Sequence, residues 1–320
     1  MIAFLFPGQG SQAVGMGKEL ADGHPVARQT FDQADSALGF SLSQLCFEGP
    51  EEKLKLTENT QPAILTVSVA AFRVLCEKGI EPQYAAGHSL GEYSAHVAAG
   101  TLNFEDAVRA VHHRGRYMQE AVPVGKGAMA AVLGMPLAEL TKVCTEAAQG
   151  EVCAPANINS PDQIVISGSA CAVKRAAELA KHRGAKRAIL LPVSAPFHCA
   201  LLQPAQDKMA QDLKQLQFRP MRMPVACNVD AQLVGKPEAA RDALIRQVTG
   251  AVLWEPCMRL LIQQGVGNFL EVGPGTVLCG LLRQIDRSKT CMNVEDEASL
   301  RKALDLLSSR KRGEPEPAIR

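Results

Sequence analysis

The sequence predicts an α/β fold whose larger part contains a parallel sheet. Short apolar runs typical of strands alternate with longer segments of helical periodicity, the pattern of a sheet covered by helices. Between residues 127 and 195 the pattern changes to a strand and helix order of its own, which indicates a separate unit. A chain of 320 residues buries roughly three quarters of its unfolded surface, enough for one large domain or two smaller ones.

The first part of the larger unit opens with an apolar strand that ends at Pro7. A later short buried run leads into a helix ended by Gly100. The next helix begins after Asn103, a residue typical of the position before a helix. The predicted elements are a strand at 2–6, helices up to residue 78, a strand at 83–86, and helices at 92–99 and 104–119.

The middle of the chain predicts strands and helices in the order β-α-β-β-α-β. They lie at 128–133, 136–148, 152–157, 163–167, 171–182 and 187–193. This order is the ferredoxin-like arrangement. We therefore expect residues 127–195 to form a small ferredoxin-like subdomain, inserted into a large domain made of residues 1–126 and 196–307.

The last part of the chain returns to the larger unit. Its predicted elements are a helix at 201–215, a strand at 225–228, a helix at 236–247 and a strand at 269–272, which is expected to be the final core strand. Residues 308–320 are charged, contain prolines and have few apolar side chains. We expect a disordered tail there.

Composition excludes several classes of partner. The 34 Lys and Arg residues balance 33 Asp and Glu residues, so the formal charge is only +1. Aromatic residues make up 4% of the chain, with Trp254 as the single tryptophan. A nucleic-acid or membrane partner is therefore not expected, since both favour basic surfaces and the former also favours aromatic stacking.

The cysteines and the N-terminus predict a cytoplasmic protein. Ten cysteines are scattered singly, without a C-x-x-C pair, which is typical of reduced thiols. The first residues contain no basic segment, and their apolar run is too short for a signal peptide. No uncharged run is long enough to cross a bilayer.

A serine lies between two glycines where the strand at 83–86 meets the helix at 92–99. Residues 87–91 read Gly-His-Ser-Leu-Gly, which fits the G-x-S-x-G turn that exposes a nucleophilic serine at a helix N-terminus. Gly87 and Gly91 would leave the space that lets the Ser89 hydroxyl project. The residues alone leave open an ordinary Gly-Ser turn, because five-residue patterns recur by chance.

A second glycine motif, at residues 8–13, fits the dinucleotide-binding pattern G-x-G-x-x-[GA]. Such a site needs an acidic residue about 20 positions later, at the end of a second strand. Asp32 and Asp35 lie in a helical pattern instead. The sequence therefore favours another role for this glycine loop.

Six motifs in order along the chain resemble the malonyl-CoA:acyl carrier protein transacylases of type II fatty acid synthesis. They lie at residues 6–12 (FPGQGSQ), 87–92 (GHSLGE), 114–119 (RGRYMQ), 157–161 (NINSP), 193–198 (VSAPFH) and 271–275 (EVGPG). The resemblance covers nearly the whole chain. It implies an α/β-hydrolase-like core with a ferredoxin-like insertion.

The resemblance also implies the catalytic residues. Ser89 would be the acyl nucleophile and His198 the base that takes its proton. The backbone N–H groups of Gln9 and Leu90 would stabilise the oxyanion. In this family backbone carbonyls orient the histidine, which here implies carbonyls near Gln247, with Asn157 assisting.

The remaining implied site residues contact the acyl group. Arg114 would meet the malonyl carboxylate with two parallel hydrogen bonds, and Gln247 is the second polar residue beside the acyl group. Ala251 replaces a proline common in the family, which weakens the match around Gln247. Phe197 favours a malonyl donor, and His88 is a further expected substrate contact.

The implied activity is transfer of malonyl from malonyl-CoA to the phosphopantetheine thiol of acyl carrier protein. No metal or cofactor is implied, malonyl-CoA being a substrate, and we expect a monomer. The basic stretch at 181–187 would dock the acidic carrier or form a solvated helix end. The alternatives are a discrete acyltransferase or acyl hydrolase of a polyketide pathway, and a catalytically silent scaffold that binds a carrier protein.

Overall fold

A computed structural model describes residues 1–311 of the chain, with side chains through residue 307. The described strands are β1 (Ile2–Phe6), β2 (Tyr84–Gly87), β3 (Gly127–Leu133), β4 (Cys153–Ser160), β5 (Gln163–Ser169), β6 (Arg187–Leu190), β7 (Val225–Cys227), β8 (Gln232–Val234), β9 (Asn268–Val272) and β10 (Thr290–Val294). They form two separate sheets.

Helices make up most of the remaining described chain. In chain order they are α1 (Lys18–Gly23), α2 (Pro25–Leu38), α3 (Leu42–Glu48), α4 (Glu51–Leu54), α5 (Thr57–Glu77), α6 (Gly91–Ala98), α7 (Phe104–Ala121), α8 (Leu137–Ala148), α9 (Ala170–His182), α10 (Gln203–Gln215), α11 (Pro237–Arg246), α12 (Trp254–Gln263), α13 (Val277–Ile285) and α14 (Glu297–Lys311). A short 3₁₀ turn, Ala200–Leu202, precedes α10.

The larger sheet has six strands in the order β10-β9-β1-β2-β7-β8, all parallel except the edge strand β8. Successive side chains of a strand point to opposite faces. On β1, Phe4 and Phe6 pack into one buried core, whereas Ala3 and Leu5 pack into a second. Both faces of this sheet are therefore buried, as parallel sheets require.

The smaller sheet is antiparallel, with strand order β4-β5-β3-β6. The helices α8 and α9 contribute to its own apolar core. One short parallel bridge joins Asn157 of β4 to Val252, just before α12. The backbone N–H of Ile158 donates to the Val252 carbonyl at 2.9 Å, so this sheet is tied to the segment that follows α11.

The predicted α/β class with a parallel sheet is confirmed, and the second sheet is separate and antiparallel. The expectation that residues 269–272 form the last core strand is wrong, because β10 follows β9 and pairs with it in parallel. Most residues of β10 are half-buried, and they do not alternate between apolar buried and polar exposed positions. The strand β8 was also missed. The helix α14 reaches Lys311, beyond the predicted start of a tail at residue 308, and the rest of that tail lies outside the described residues.

Two further observations concern the expected compartment. Cys279 of α13 and Cys291 of β10 form a disulfide, which corrects the expectation of reduced thiols throughout. The fold brings their Cα atoms to 5.2 Å across 12 positions of sequence, a proximity that cysteine spacing alone does not reveal. Within residues 1–311, each helix is too short or too polar to cross a membrane.

Candidate active site

Ser89 lies in a tight turn between β2 and α6. Its φ of 51° is in the left-handed region, which is uncommon for a residue other than glycine. A Cβ on Gly87 would lie 1.9 Å from the Gly91 carbonyl, and one on Gly91 would lie 2.1 Å from the Phe6 carbonyl oxygen. Both glycines are therefore required by close backbone packing, and the turn holds Ser89 in a strained conformation.

Asn228 holds the backbone of this turn from the neighbouring strand. It follows β7, which pairs with β2. Its Oδ1 accepts the Ser89 N–H at 2.7 Å, and its Nδ2 donates to the Gly87 carbonyl at 2.8 Å. Asn228 is not among the site residues predicted from the sequence. Its position after a buried strand adjacent to the serine strand was the available signal.

The structure brings Ser89 and His198 together. The Ser89 Oγ lies 2.7 Å from His198 Nε2, although the residues are 109 positions apart. The Nδ1 of His198 lies 2.9 Å from the Gln247 carbonyl and 3.1 Å from the Gly250 carbonyl. Because carbonyls only accept hydrogen bonds, Nδ1 carries the proton and Nε2 is left to accept from the serine hydroxyl.

The His198 imidazole is kept neutral. Its side chain is buried, and burial together with the nearby positive charge of Arg114 lowers the pKa to about 3. Hydrogen bonds to the carbonyls of Gln247 and Gly250 raise the pKa, but by less than burial and Arg114 lower it. At neutral pH His198 is therefore an unprotonated base beside a serine hydroxyl.

Arg114 of α7 also contacts this serine. Only 2% of the residue is exposed. Its Nη2 donates to Ser89 Oγ at 3.2 Å and to Gln247 Oε1 at 3.0 Å, and its Nη1 donates to Gln61 Oε1 at 2.8 Å. Within residues 1–311 no carboxylate forms an ion pair with Arg114. Its charge is therefore available to an incoming anion.

Gln247 joins the elements of the site. Its Nε2 donates to the Ser89 carbonyl at 2.9 Å and to Glu92 Oε2 at 2.7 Å. Its backbone carbonyl accepts from His198, as described above. One residue at the end of α11 thus contacts the nucleophile, the arginine and the histidine. Glu92, on α6, was not identified by the sequence analysis.

The glycine loop after β1 lies against the serine turn. A Cβ on Gly8 would be 2.5 Å from the His88 carbonyl oxygen, and the next residue, Gln9, anchors its side chain on Thr57 Oγ1 at 3.3 Å. Leu90 directly precedes α6, where backbone N–H groups have no acceptor within the helix. The N–H groups of Gln9 and Leu90 thus belong to segments that meet beside Ser89.

Three other expected residues surround this centre. The His88 ring bonds Asn159 Oδ1 at 2.8 Å and lies 5.5 Å from the Trp254 ring. Phe197 is half-buried and packs against the apolar cores beside both sheets. Asn157 bridges to Val252, and among the described residues its side chain makes no hydrogen bond to His198.

The basic stretch at 181–187 is paired locally. Its exposed Lys181 and Arg183 form ion pairs with Glu178 and Glu146. Exposed pairs of this kind contribute little to stability, and docking of the carrier at this stretch stays a prediction. In the described part of the chain, no three His, Cys, Asp or Glu side chains are placed to hold a metal ion.

Comparison with known proteins agrees with the geometry. Residues 3–307 match the acyl transferase domain. The chain is 48% identical over 305 residues to the malonyl CoA-acyl carrier protein transacylase of Escherichia coli (strain K12), covering 95% of this chain and 99% of that protein.

Solved structures extend the comparison. An acyl carrier protein S-malonyltransferase from Vibrio cholerae superposes with a TM-score of 0.93 at 48% identity, covering 94% of this chain and 99% of that one. A malonyl-transacylase in complex with a type II PKS acyl-carrier protein superposes with a TM-score of 0.93 at 48% identity, covering 95% of this chain and 99% of that one. The chain therefore belongs to the acyl transferase domain family and, within it, to the malonyl CoA-acyl carrier protein transacylases.

Proposed function

We propose that Ser89 carries a malonyl group from malonyl-CoA to the phosphopantetheine thiol of acyl carrier protein. One observation carries this proposal: Ser89 Oγ lies 2.7 Å from a neutral base, His198, and 3.2 Å from a buried cation, Arg114. The base activates the hydroxyl, and the cation recognises an acyl group that ends in a carboxylate. A nucleophile and a carboxylate receptor thus share one site.

In the first half-reaction, Ser89 Oγ attacks the thioester carbonyl while His198 Nε2 takes the hydroxyl proton. The tetrahedral intermediate then collapses, the C–S bond breaks, and His198 returns the proton to the departing CoA thiolate. The products are malonyl-Ser89 and CoA. The proton on Nδ1 remains bonded to the carbonyls of Gln247 and Gly250, which stabilise the imidazolium while it exists.

The oxyanion of the intermediate needs donors that are already in place. We assign this role to the backbone N–H groups of Gln9 and Leu90. The close packing of Gly8 on the His88 carbonyl supports this assignment, because it seats the glycine loop beside the turn. The strained backbone of Ser89, held by Asn228, fixes the direction of the attacking oxygen.

The second half-reaction runs the same steps with a different thiol. His198 takes the proton of the phosphopantetheine thiol, the sulfur attacks the malonyl-serine ester, and the C–O bond breaks. The proton then passes to Ser89 Oγ, which restores the enzyme. No metal ion or redox cofactor is needed for either half.

Arg114 selects the malonyl group. Its Nη atoms are held by Gln61 and Gln247, so the guanidinium is oriented before substrate arrives and loses little freedom on binding. We assign to His88 and Phe197 the walls around the acyl group. Asn157 contributes to the site through the backbone bridge beside Gly250.

The polyketide and hydrolase alternatives are not favoured. The curated relatives are named malonyl CoA-acyl carrier protein transacylases. The two half-reactions at Ser89 account for transfer to a thiol. One structural relative is a malonyl-transacylase in complex with an acyl-carrier protein, which supports a carrier protein as the acceptor.

We also propose a two-part organisation. Residues 127–195 form a ferredoxin-like subdomain inserted into an α/β-hydrolase-like core of residues 1–126 and 196–307. The β-α-β-β-α-β order of β3 to β6 with α8 and α9 supports the first part. The parallel strands and the serine turn between β2 and α6 support the second.

Mass spectrometry of the intact protein after incubation with malonyl-CoA tests the function. The wild-type chain should gain one malonyl group, and peptide mapping should place it on Ser89. The Ser89→Ala variant should gain none, whereas the control Ser94→Ala, which alters a buried serine on the following helix α6, should still be labelled. An adduct that persists in Ser89→Ala would contradict the assignment.

A further inference from the structure

Glu92 is a fully buried carboxylate behind the catalytic serine. Its Oε2 accepts the Gln247 Nε2 at 2.7 Å and the Asn228 backbone N–H at 3.1 Å. Its Oε1 has no hydrogen-bond partner in the described chain. The burial of this carboxylate requires an explanation, because burying a charge costs free energy unless an opposite charge compensates it.

The compensating charge is Arg114, and a single side-chain amide connects the two. Arg114 Nη2 donates to Gln247 Oε1 at 3.0 Å, while Gln247 Nε2 donates to Glu92 at 2.7 Å. The amide is therefore oriented by a donor on one side and an acceptor on the other. In the free enzyme the buried site holds one cation and one anion.

Malonyl binding disturbs this balance. The malonyl carboxylate would contact Arg114 directly, leaving two anions and one cation in the same buried site. Like charges that share a buried site favour protonation of one of them. Glu92 is the anion without direct contact to the guanidinium, and its Oε1 is free to hold a proton.

We propose that Glu92 is a positioning residue that balances the charge of Arg114 through Gln247 and takes up one proton from solvent when the malonyl carboxylate reaches Arg114. The inference rests on the proposed function. The added step converts a carboxylate and a solvent proton into a carboxylic acid, without an oxidant or a further reactant. An uncharged acyl group would cause no proton uptake.

The groups that face Glu92 leave it as the proton acceptor. On α6, His96 Nε2 lies 4.0 Å from Glu92 Oε1, and burial lowers its pKa to about 3, so it stays neutral. Burial raises the pKa of Tyr93, and it also raises the pKa values of the thiols of Cys227 and Cys257. These three groups are therefore uncharged near neutral pH.

The remaining charged neighbour, Asp230, is matched by Arg246, which donates to both of its carboxylate oxygens. The Glu92 carboxyl itself titrates near neutral pH. Burial raises its pKa to about 7, against the hydrogen bonds from Asn228 and Gln247 and the charge of Arg114. The protonation state of this carboxylate is therefore sensitive to one added negative charge.

The experiment measures protons and acyl groups on the same sample of full-length enzyme. Malonyl-CoA is added in weakly buffered solution containing a pH indicator at about pH 8, where most of Glu92 is ionised. Mass spectrometry counts the malonyl-Ser89 formed. We expect wild type to take up close to one more proton per malonyl group than Glu92→Gln, since ionisation of released CoA contributes equally to both.

Glu120→Gln is the matched control, because Glu120 is exposed and pairs with Lys208 on the surface. It should take up protons like wild type. Loading of Ser89 with equal proton change in wild type and Glu92→Gln would overturn the inference while leaving the function intact. Absence of loading in wild type would instead refute the function.

A second measurement applies if Glu92→Gln does not fold. Infrared difference spectra of the wild-type enzyme before and after malonylation should show a new carboxylic acid band that shifts in heavy water. The malonyl-serine ester band does not shift, because it carries no exchangeable proton. A spectrum with the ester band but no shifting acid band would overturn the inference.

Discussion

Replacing Arg114 with alanine should remove the preference for malonyl over uncharged acyl groups. The guanidinium is buried to 2% exposure and donates to Ser89 Oγ at 3.2 Å. A malonyl group on Ser89 places its carboxylate in this neighbourhood, where solvent does not screen the interaction. Alanine leaves that carboxylate in a buried site without a cation.

The expected loss follows from the value of a buried charge pair. Truncating one partner of such a pair costs about 2–5 kcal/mol, which corresponds to a roughly 30-fold to several thousand-fold lower kcat/KM for malonyl-CoA. Acetyl-CoA has no carboxylate to lose contact with, so its kcat/KM should change by less than about 10-fold. The ratio between the two substrates is therefore the informative quantity.

The assay measures transfer from each CoA ester to carrier protein, with Arg116→Ala as the matched control. Arg116 lies on the same helix, is exposed and pairs with Glu120 at 3.8 Å, so its loss should leave the ratio unchanged. Circular dichroism establishes that both variants are folded. An unchanged malonyl to acetyl ratio in folded Arg114→Ala would refute the carboxylate receptor.

The structure also predicts the effects of changing Asn228, the pH around His198 and the basic stretch at 181–187. Asn228→Ala should lower the free energy of unfolding by about 2–6 kcal/mol in urea titrations, because it leaves two backbone groups beside Ser89 without partners; a change below about 1 kcal/mol would contradict that role. The depressed pKa of His198 keeps it neutral above about pH 3, so the single-turnover rate of acylation at saturating malonyl-CoA, where Glu92 is already protonated, should stay level from about pH 8 to about pH 5 rather than fall with a midpoint near 6.5; such a fall would show a solvated imidazole. Charge reversal at Lys181 and Arg183 should alter transfer to the carrier by less than about 3-fold at low salt, since both side chains are locally paired; a larger loss would indicate carrier docking there.

Local sequence patterns predict the parts of the site that depend on neighbours in the chain. Ser89 is identified by the glycines two positions before and after it, and both prove to be required, because an added Cβ would lie 1.9 Å from the backbone at Gly87 and 2.1 Å from it at Gly91. The glycine loop containing Gln9 follows the adjacent strand β1. Since β1, β2 and β7 are neighbours in the sheet, the residue after β7 also belongs to this edge, and Asn228 was predictable on that argument.

Other parts of the site depend on contacts that no local pattern encodes. Glu92 ends the motif at residues 87–92, but the motif does not state its role, and only the packing of α6 against Gln247 and Asn228 shows that it is buried and bonded. The strand β10 was missed because its half-buried residues lack alternation. The Cys279–Cys291 pairing depends on the placement of that missed strand.

The carbonyls that orient His198 have a practical consequence for mutagenesis. If the third member of the triad were an acidic side chain, mutating each side chain in turn would detect it. The carbonyls of Gln247 and Gly250 belong to the backbone, so every substitution among the coded amino acids retains them. Mutagenesis of this chain would therefore detect only Ser89 and His198 as the groups that transfer the proton. Chemical synthesis that replaces the amide after Gln247 with an ester weakens that carbonyl as an acceptor, and would reveal the third member directly.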